Sequence, residues 1–259
     1  MDTEFYGRLK AKDFWEKGKK LIGNGWKQTL DGKLTPMFEL AAAIDSPWCH
    51  AVIDKDRDCL MWHKILYDTF GLLPSPCLEC WKVVARPNNL EQLFSQYELQ
   101  KRMGYASKSG IEVRNYVHGL YGVYWYTNSL EEGQDRWKEV KDVIHKEISP
   151  DIEVVLKRAC TEFEMTFGPS TQWAVIDEQL EFEELVYEMI VNVGKNEHPQ
   201  TPEIIAHVQQ RWVDWAYSNG DPTCFKYARP EELGVQTVKF HDLDLSKLET
   251  KTIEVVKSA

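Results

Sequence analysis

Residues 111–126 read IEVRNYVHGLYGVYWY. In the first half, Ile111, Val113, Asn115 and Val117 alternate with Glu112, Arg114 and Tyr116, the period of a strand with two unlike faces. A second run rich in Tyr, Val and Trp fills 120–126, and His118-Gly119 between the two predicts a two-residue hairpin turn. Upstream, WKVVAR at 81–86 predicts a strand. Asn89 then caps a helix that carries Leu90, Leu93, Phe94 and Tyr97 on one face and ends at Gly104. Downstream, Ser129 and Glu132 form a capping box for a helix with Leu130, Trp137, Val140 and Ile144 in one stripe, closed by Pro150. Residues 152–167, IEVVLKRACTEFEMTF, read as one long strand. Strand, helix, strand, strand, helix, strand is the split βαβ order. The expectation is therefore an α+β protein with a ferredoxin-like βαββαβ core over 81–167, one antiparallel sheet with both helices on one face.

Around that core, residues 9–70 read as helical, in segments at 13–22, 36–44 and 56–70, with Pro74 and Pro76 stopping the last. Helices are expected over 171–193 and 202–218, and short strands over 237–240 and 252–256. The expected organisation is a helical amino-terminal segment (1–75) packed on the core (76–167), then carboxy-terminal helices (168–219) and an irregular tail (220–259).

The chain has 259 residues, 43% hydrophobic and 28% charged, the composition of a folded soluble protein. Thirty-one basic against 41 acidic side chains leave a formal charge of −10, so there is no global attraction to phosphate backbones or anionic lipid. No apolar run reaches membrane-spanning length, and residues 1–15 lack the pattern of a secretory signal. Four of the six cysteines crowd into 49–80, unlike a secreted disulfide framework, which points to a thiol-reduced, cytoplasmic setting.

Cys59 and His63, four apart on the expected third helix, share a face, and Cys77-Leu78-Glu79-Cys80 adds a CxxC. Zinc takes four such ligands in a tetrahedron, so Cys59, His63, Cys77 and Cys80 form a candidate Cys3His site. With Cys49 in place of His63, four thiolates make an iron–sulfur ligand set. The alternative without metal is a set of small buried thiols around a core histidine. Pro76-Cys77-x-x-Cys80 with His50 upstream also matches part of the zinc-deaminase signature, but Val52 stands where that chemistry needs glutamate.

Alternation along 152–167 places Arg158, Cys160, Glu162 and Glu164 on one side, and the neighbouring strand adds Arg114 and Tyr116. Such a face binds an anionic or zwitterionic small molecule, Arg114 and Arg158 gripping carboxylate or phosphate and Glu162 and Glu164 an amine. Left open to water, the same charges simply pair across strands. Cys160 with His118 as its base is a further candidate pair.

Three functions follow. The first is a zinc-stapled binding or regulatory protein whose many aromatics recognise a protein partner. The second is an enzyme acting on a small polar or anionic substrate across the Arg/Glu face. The third is a single-stranded RNA-binding module, because βαββαβ with YGVYWY at 121–126 loosely resembles the RNA-recognition motif; the acidic charge disfavours it.

Overall fold

A computed structural model describes residues 16–19, 22, 26–36, 46–54, 57–59, 61–190 and 200–227. Half of the segment expected at 13–22, the one at 36–44 beyond Pro36, and both tail strands lie outside the described residues. The chain is an α+β protein. A small hairpin of β1 (Trp26–Gln28) and β2 (Leu34–Pro36) precedes a five-stranded sheet. The sheet comprises β3 (Trp48–Val52), β4 (Trp81–Arg86), β5 (Ser107–Ile111), β6 (Tyr121–Thr127) and β7 (Glu153–Arg158), in the order β3-β5-β6-β4-β7 with every neighbour antiparallel. Helix α1 (Leu90–Met103) joins β4 to β5, and α2 (Leu130–Glu147) joins β6 to β7. Beyond β7 come α3 (Thr161–Phe167), α4 (Asp177–Met189) and α5 (Pro202–Ser218).

The helix signals read from the sequence act as expected. The Asn89 side chain accepts from Gln92 N at 2.9 Å, Gly104 ends α1 at φ 72°, and Ser129 accepts from Glu132 N at 3.1 Å. One sheet face buries Val83, Ala85, Val123 and Trp125 against Leu90, Leu93 and Tyr97 of α1, Val140 and Ile144 of α2, and Val208 and Trp212 of α5. A second core gathers Trp26, Leu34, Trp62, Phe70, Phe163, Phe182 and Val186, drawn from the β hairpin, residues 61–73, α3 and α4.

Four expectations are corrected. The long strand over 152–167 ends at Arg158: Ala159 turns to φ 46° and residues 161–167 are helical. Phe163 and Phe167 are four apart, a spacing that serves a helix face as well as alternation does, and Met165, which strand alternation would put on their side, is 63% exposed. The two-residue turn at His118-Gly119 is instead a loop from Glu112 to Leu120, because Ile111 pairs with Tyr121 and the strand before it starts at Ser107. SKSG at 107–110 has weak strand propensity, but pairing on both sides overrides it. The amino-terminal part is not wholly helical: WCHAV forms β3, the edge of the main sheet. Gly110 permits that edge, since a methyl there would collide with the Pro47 carbonyl and the Trp48 ring. Finally, residues 61–67 wind as a π-helix, with Asp68 N donating to His63 O at 2.7 Å and Phe70 N to Ile65 O at 3.3 Å, which alters the face on which His63 stands.

One carboxylate ties three elements together. Asp221, just past α5, accepts from Leu90 N at the start of α1 and from the Tyr121 hydroxyl of β6, both at 2.6 Å, and from Thr223 N at 2.9 Å. Burial would raise its pKa, but these hydrogen bonds hold it below the usual carboxylate value, so its contribution is lost as pH falls through that range. Asp221→Ala strands two buried donors and is expected to lower unfolding stability by roughly 3 kcal/mol in denaturant titration, whereas Asp214→Ala, on the exposed face of α5, is expected to change it by less than about 0.5 kcal/mol.

Candidate functional site on the polar sheet face

Strand register decides which side chains share the face turned away from α1 and α2. Lys82 stands opposite Tyr126 and Lys157, Val84 opposite Tyr124, and Lys108 opposite both Tyr124 and His50. Their parity is opposite to that of Val83, Val123 and Trp125, so the face that lacks the main core carries three lysines, two tyrosines and a histidine.

At one end of this face is a thiol. The Cys160 sulfur lies 2.8 Å from Lys82 Nζ and 3.1 Å from His63 Nε2. Three local features place it there. Ala159 N donates to Cys80 O at 2.7 Å, continuing the β4–β7 ladder one step past the last paired residue. Ala159 then adopts the left-handed region, a conformation that costs an alanine about 1 kcal/mol or more, and the chain turns into α3 with Cys160 at the corner. The His63 ring stacks on Phe163 with centroids 4.8 Å apart, which fixes its orientation toward the sulfur.

Burial alone would raise the Cys160 thiol. The Lys82 ammonium and the hydrogen bond from His63 outweigh it and bring the pKa down to about 6. Other thiols go the opposite way: burial pushes Cys59 up to about 11 and Cys49 up to about 12, and raises Cys77 further. Lys82 is 7% exposed; burial would lower its pKa, and the Cys160 sulfur beside it outweighs that and holds the ammonium charged. A second cation repeats the pattern. Arg57 donates to Cys80 Sγ at 2.8 Å, to Asp54 at 2.9 Å and to Asn128 at 2.8 Å, and lies 4.9 Å from the Tyr126 ring centroid.

The expected zinc ligands fall out differently. His63 faces Cys160, Cys80 receives the Arg57 guanidinium, and Cys49 lies in the core on the other sheet face with its thiol 3.8 Å from Ile205 O. Cys59 and Cys77 pack in the second core. Among the described residues no group of three or more His, Cys, Asp or Glu side chains is arranged to hold a metal ion.

The expected ligand-binding residues divide three ways. Arg114, Tyr116 and Glu162 come together: Arg114 grips Glu112 through two bonds of 2.7 Å and Glu162 through one of 2.9 Å, and Tyr116 donates to Glu162 at 2.8 Å. Tyr124 donates to Glu112 at 3.1 Å. Gly122 leaves the space this needs, because a Cβ there would stand 2.9 Å from the Tyr124 hydroxyl and 3.1 Å from Arg86. Burial would raise Glu162, but its hydrogen bonds and Arg114 hold it down near 2. These charges largely satisfy one another and pin the 112–120 loop to α3. Arg158 is elsewhere: with the strand ending there, it shares the face of Trp81, donates to Leu78 O at 2.6 Å and Ser170 O at 2.9 Å, and lines a cleft of about 360 Å³ with Glu79 and Leu130. Glu164 pairs with Lys157. His118, the expected base, sits at the loop beside Arg86, Asp151 and Glu153, lining a separate cleft of about 250 Å³; the histidine on Cys160 is His63.

Lys82, Lys108 and Tyr126 carry this site and were not picked out as a cluster from the sequence. Their signal was legible as parity, since Lys82 opens a strand that is otherwise apolar and half-basic, but the partner strand's true start at Ser107 hides Lys108. Comparison with protein-family models, curated proteins and solved structures returns no match.

The lowered pKa makes the site pH-dependent in a defined sense. An ordinary thiol titrates near 9 and Cys160 near 6, so the ion pair with Lys82 stabilises the fold fully at alkaline pH and is lost as pH falls through 6. Ultraviolet titration of thiolate absorbance is expected to reveal one group near pH 6 that disappears in Cys160→Ser and moves up by at least one unit in Lys82→Met.

Proposed function

We propose that the protein is an enzyme that uses the Cys160 thiolate as a nucleophile on a small polar or anionic substrate. The observation that carries this reading is the sulfur held between Lys82 and His63 at a strained strand-to-helix corner. A thiol needs an adjacent cation or base to be a nucleophile at neutral pH, and here both are supplied in hydrogen-bond reach. In the reaction class this favours, the sulfur forms a bond to an electrophilic carbon of the substrate, the bond from that carbon to its leaving group breaks, and the proton held by His63 goes to the leaving group. Lys82 keeps the thiolate charged between turnovers. The cations of the face, Lys82 and Lys108 with Arg86 and Arg114 nearby, favour a substrate that carries negative charge.

The sheet fits a ferredoxin-like unit over β4 to β7: β6 lies between β5 and β4, β4 lies between β6 and β7, and β3 extends the β5 edge. All six cysteines are free thiols, which accords with a reducing, cytoplasmic setting. Among the described residues no helix is long and apolar enough to cross a membrane. Among the described residues a zinc-stapled binding protein and a single-stranded RNA module have no comparable geometric support.

Alkylation tests the reading without knowledge of the substrate. Iodoacetate is expected to label Cys160 before any other cysteine, at a rate half-maximal near pH 6, and faster than neutral iodoacetamide because of the surrounding cations. Labelling that maps to Cys59 or Cys80, or that starts only at alkaline pH, would overturn it.

A further inference from the structure

Four separate parts of the chain close around the cleft of about 360 Å³ that Arg158 lines. Glu79 and Trp81 come from the start of β4, Leu130 from the start of α2, Arg158 from the end of β7, and Ser170 with Thr171 from the turn after α3. Trp81 and Arg158 pair across β4 and β7 with parity opposite to that of Lys82 and Lys157, so the cleft opens on the other side of the sheet from the thiol site. Arg158 is fixed within it. Nε donates to Leu78 O at 2.6 Å, Nη1 donates to Ser170 O at 2.9 Å, and the guanidinium carbon lies 5.5 Å from the Trp81 ring centroid. Both acceptors are neutral carbonyls, and among the described residues no carboxylate pairs with this guanidinium. Arg57, Arg86, Arg114 and Arg136 differ, each holding a carboxylate. Glu79 lines the same cleft, and its carboxylate likewise has neither an ion pair nor a hydrogen bond among the described residues. Leu130, 43% exposed, offers an apolar surface beside them. A cation and an anion that share a cleft without meeting, next to exposed apolar surface, complement a molecule that carries both charges and an apolar part.

We propose that this cleft binds a free α-amino acid with an apolar side chain. Arg158 takes the carboxylate on the N–H groups that Leu78 and Ser170 leave unused, Glu79 takes the ammonium, and the side chain lies on Leu130 and the Trp81 ring. The Ser170 and Thr171 hydroxyls, which make no hydrogen bond among the described residues, supply further polar contacts. Size restricts the ligand: binding clefts run from about 300 to 1,000 Å³, so one of about 360 Å³ suits a single amino acid rather than a peptide or a nucleotide. Charge restricts it further. A simple organic acid would set its carboxylate near Glu79 with nothing between them, and a simple amine would stand beside Arg158 in the same way. The two backbone bonds of Arg158 hold its plane before any ligand arrives, which lowers the cost of ordering it on binding. The proposal does not rest on the role given to Cys160, because the cleft shares no residue with the thiol site.

Ligand-observed NMR titration of the intact protein decides it. L-leucine or L-phenylalanine is expected to bind saturably with a Kd at or below about 1 mM. Two analogues of leucine, 4-methylpentanoate without the amine and 3-methylbutylamine without the carboxylate, are expected to bind at least about tenfold more weakly. Glu79→Gln, at an exposed position with no internal bond to lose, is expected to keep the fold and weaken leucine about tenfold while leaving 4-methylpentanoate no weaker. Arg158→Lys, which keeps the charge but not the planar fork, is expected to weaken both. Cys160→Ser is expected to change none of these affinities, so that failure here and failure of the thiolate reading are told apart. No saturable binding of either amino acid, an analogue that binds as tightly as leucine, or a leucine affinity indifferent to Glu79→Gln and Arg158→Lys would overturn the proposal.

Discussion

A lysine almost removed from water is held charged by sulfur. Lys82 is 7% exposed and its nearest counter-charge is the Cys160 thiolate at 2.8 Å. Neither ion is tolerable alone in that setting, since an uncompensated buried charge costs several kcal/mol, so each depends on the other being present. The pairing in turn constrains the elements that carry it. β7 must stop at Arg158 for the sulfur to swing under the sheet, Ala159 must accept a left-handed backbone, and the π-helix must present His63 at the same point. Arg57 on Cys80 is the same device at the next position of β4's neighbourhood, and the two cations share the Tyr126 ring as a wall. Two basic groups are thus aimed at two sulfur atoms at this end of the sheet.

The two faces of one sheet thereby acquire opposite chemistry. On one, Val83, Ala85, Val123 and Trp125 bury under three helices. On the other, Lys82, Lys108, Tyr124 and Tyr126 stand beside Val84, and the π-helix and the 112–120 loop bring His63 and Glu112 to them. A helix roof would have left the lysines without partners; loops and a π-helix offer side chains at spacings a regular helix does not. The Glu112–Arg114–Glu162 group serves as the clasp that holds the 112–120 loop against α3 over this face.

How much of this could be read from the residues alone varies with the kind of signal. Capped helices were legible because Asn89, Gly104, Ser129 and Glu132 act within one turn of where they stand. The run at 81–86 was legible as a strand from its composition, but Val83, Val84 and Ala85 are all apolar and do not say which side takes the core. The end of β7 was not: Ala159 looks like any strand alanine, and only the ladder to Cys80 and the pull of the Lys82–Cys160 pair make its conformation necessary. Nor was β5, whose Ser-Lys-Ser-Gly sequence becomes a strand only between two partners. The candidate site inherits these errors. Cys160, Glu162, Arg114 and Tyr116 were on the right side of the molecule, Arg158 was carried to the wrong face by the missing bend, and the histidine of the thiol came from a segment 97 residues earlier, beyond the reach of any periodicity.

The edge strand β3 has a consequence for how the chain is made. Its backbone is completed from far away: His50 N donates to the Gln200 side chain at 2.8 Å, Gln200 donates to Trp48 O at 2.9 Å, and Trp212 donates to Pro47 O at 2.9 Å. Between those partners lie about 150 residues of chain. During synthesis from the amino terminus, the 46–52 segment therefore emerges long before β5 or α5 exists to receive it, and its unpaired amides and carbonyls wait in the open. Contacts of such separation also slow folding of the finished chain. A polypeptide released before residue 200 would keep an uncovered sheet edge, the kind of surface on which strands of other chains stack and which chaperones hold. The geometry that closes the native sheet thus makes the 46–52 edge one of the last parts to be secured, although it is made well before the segments that hold it.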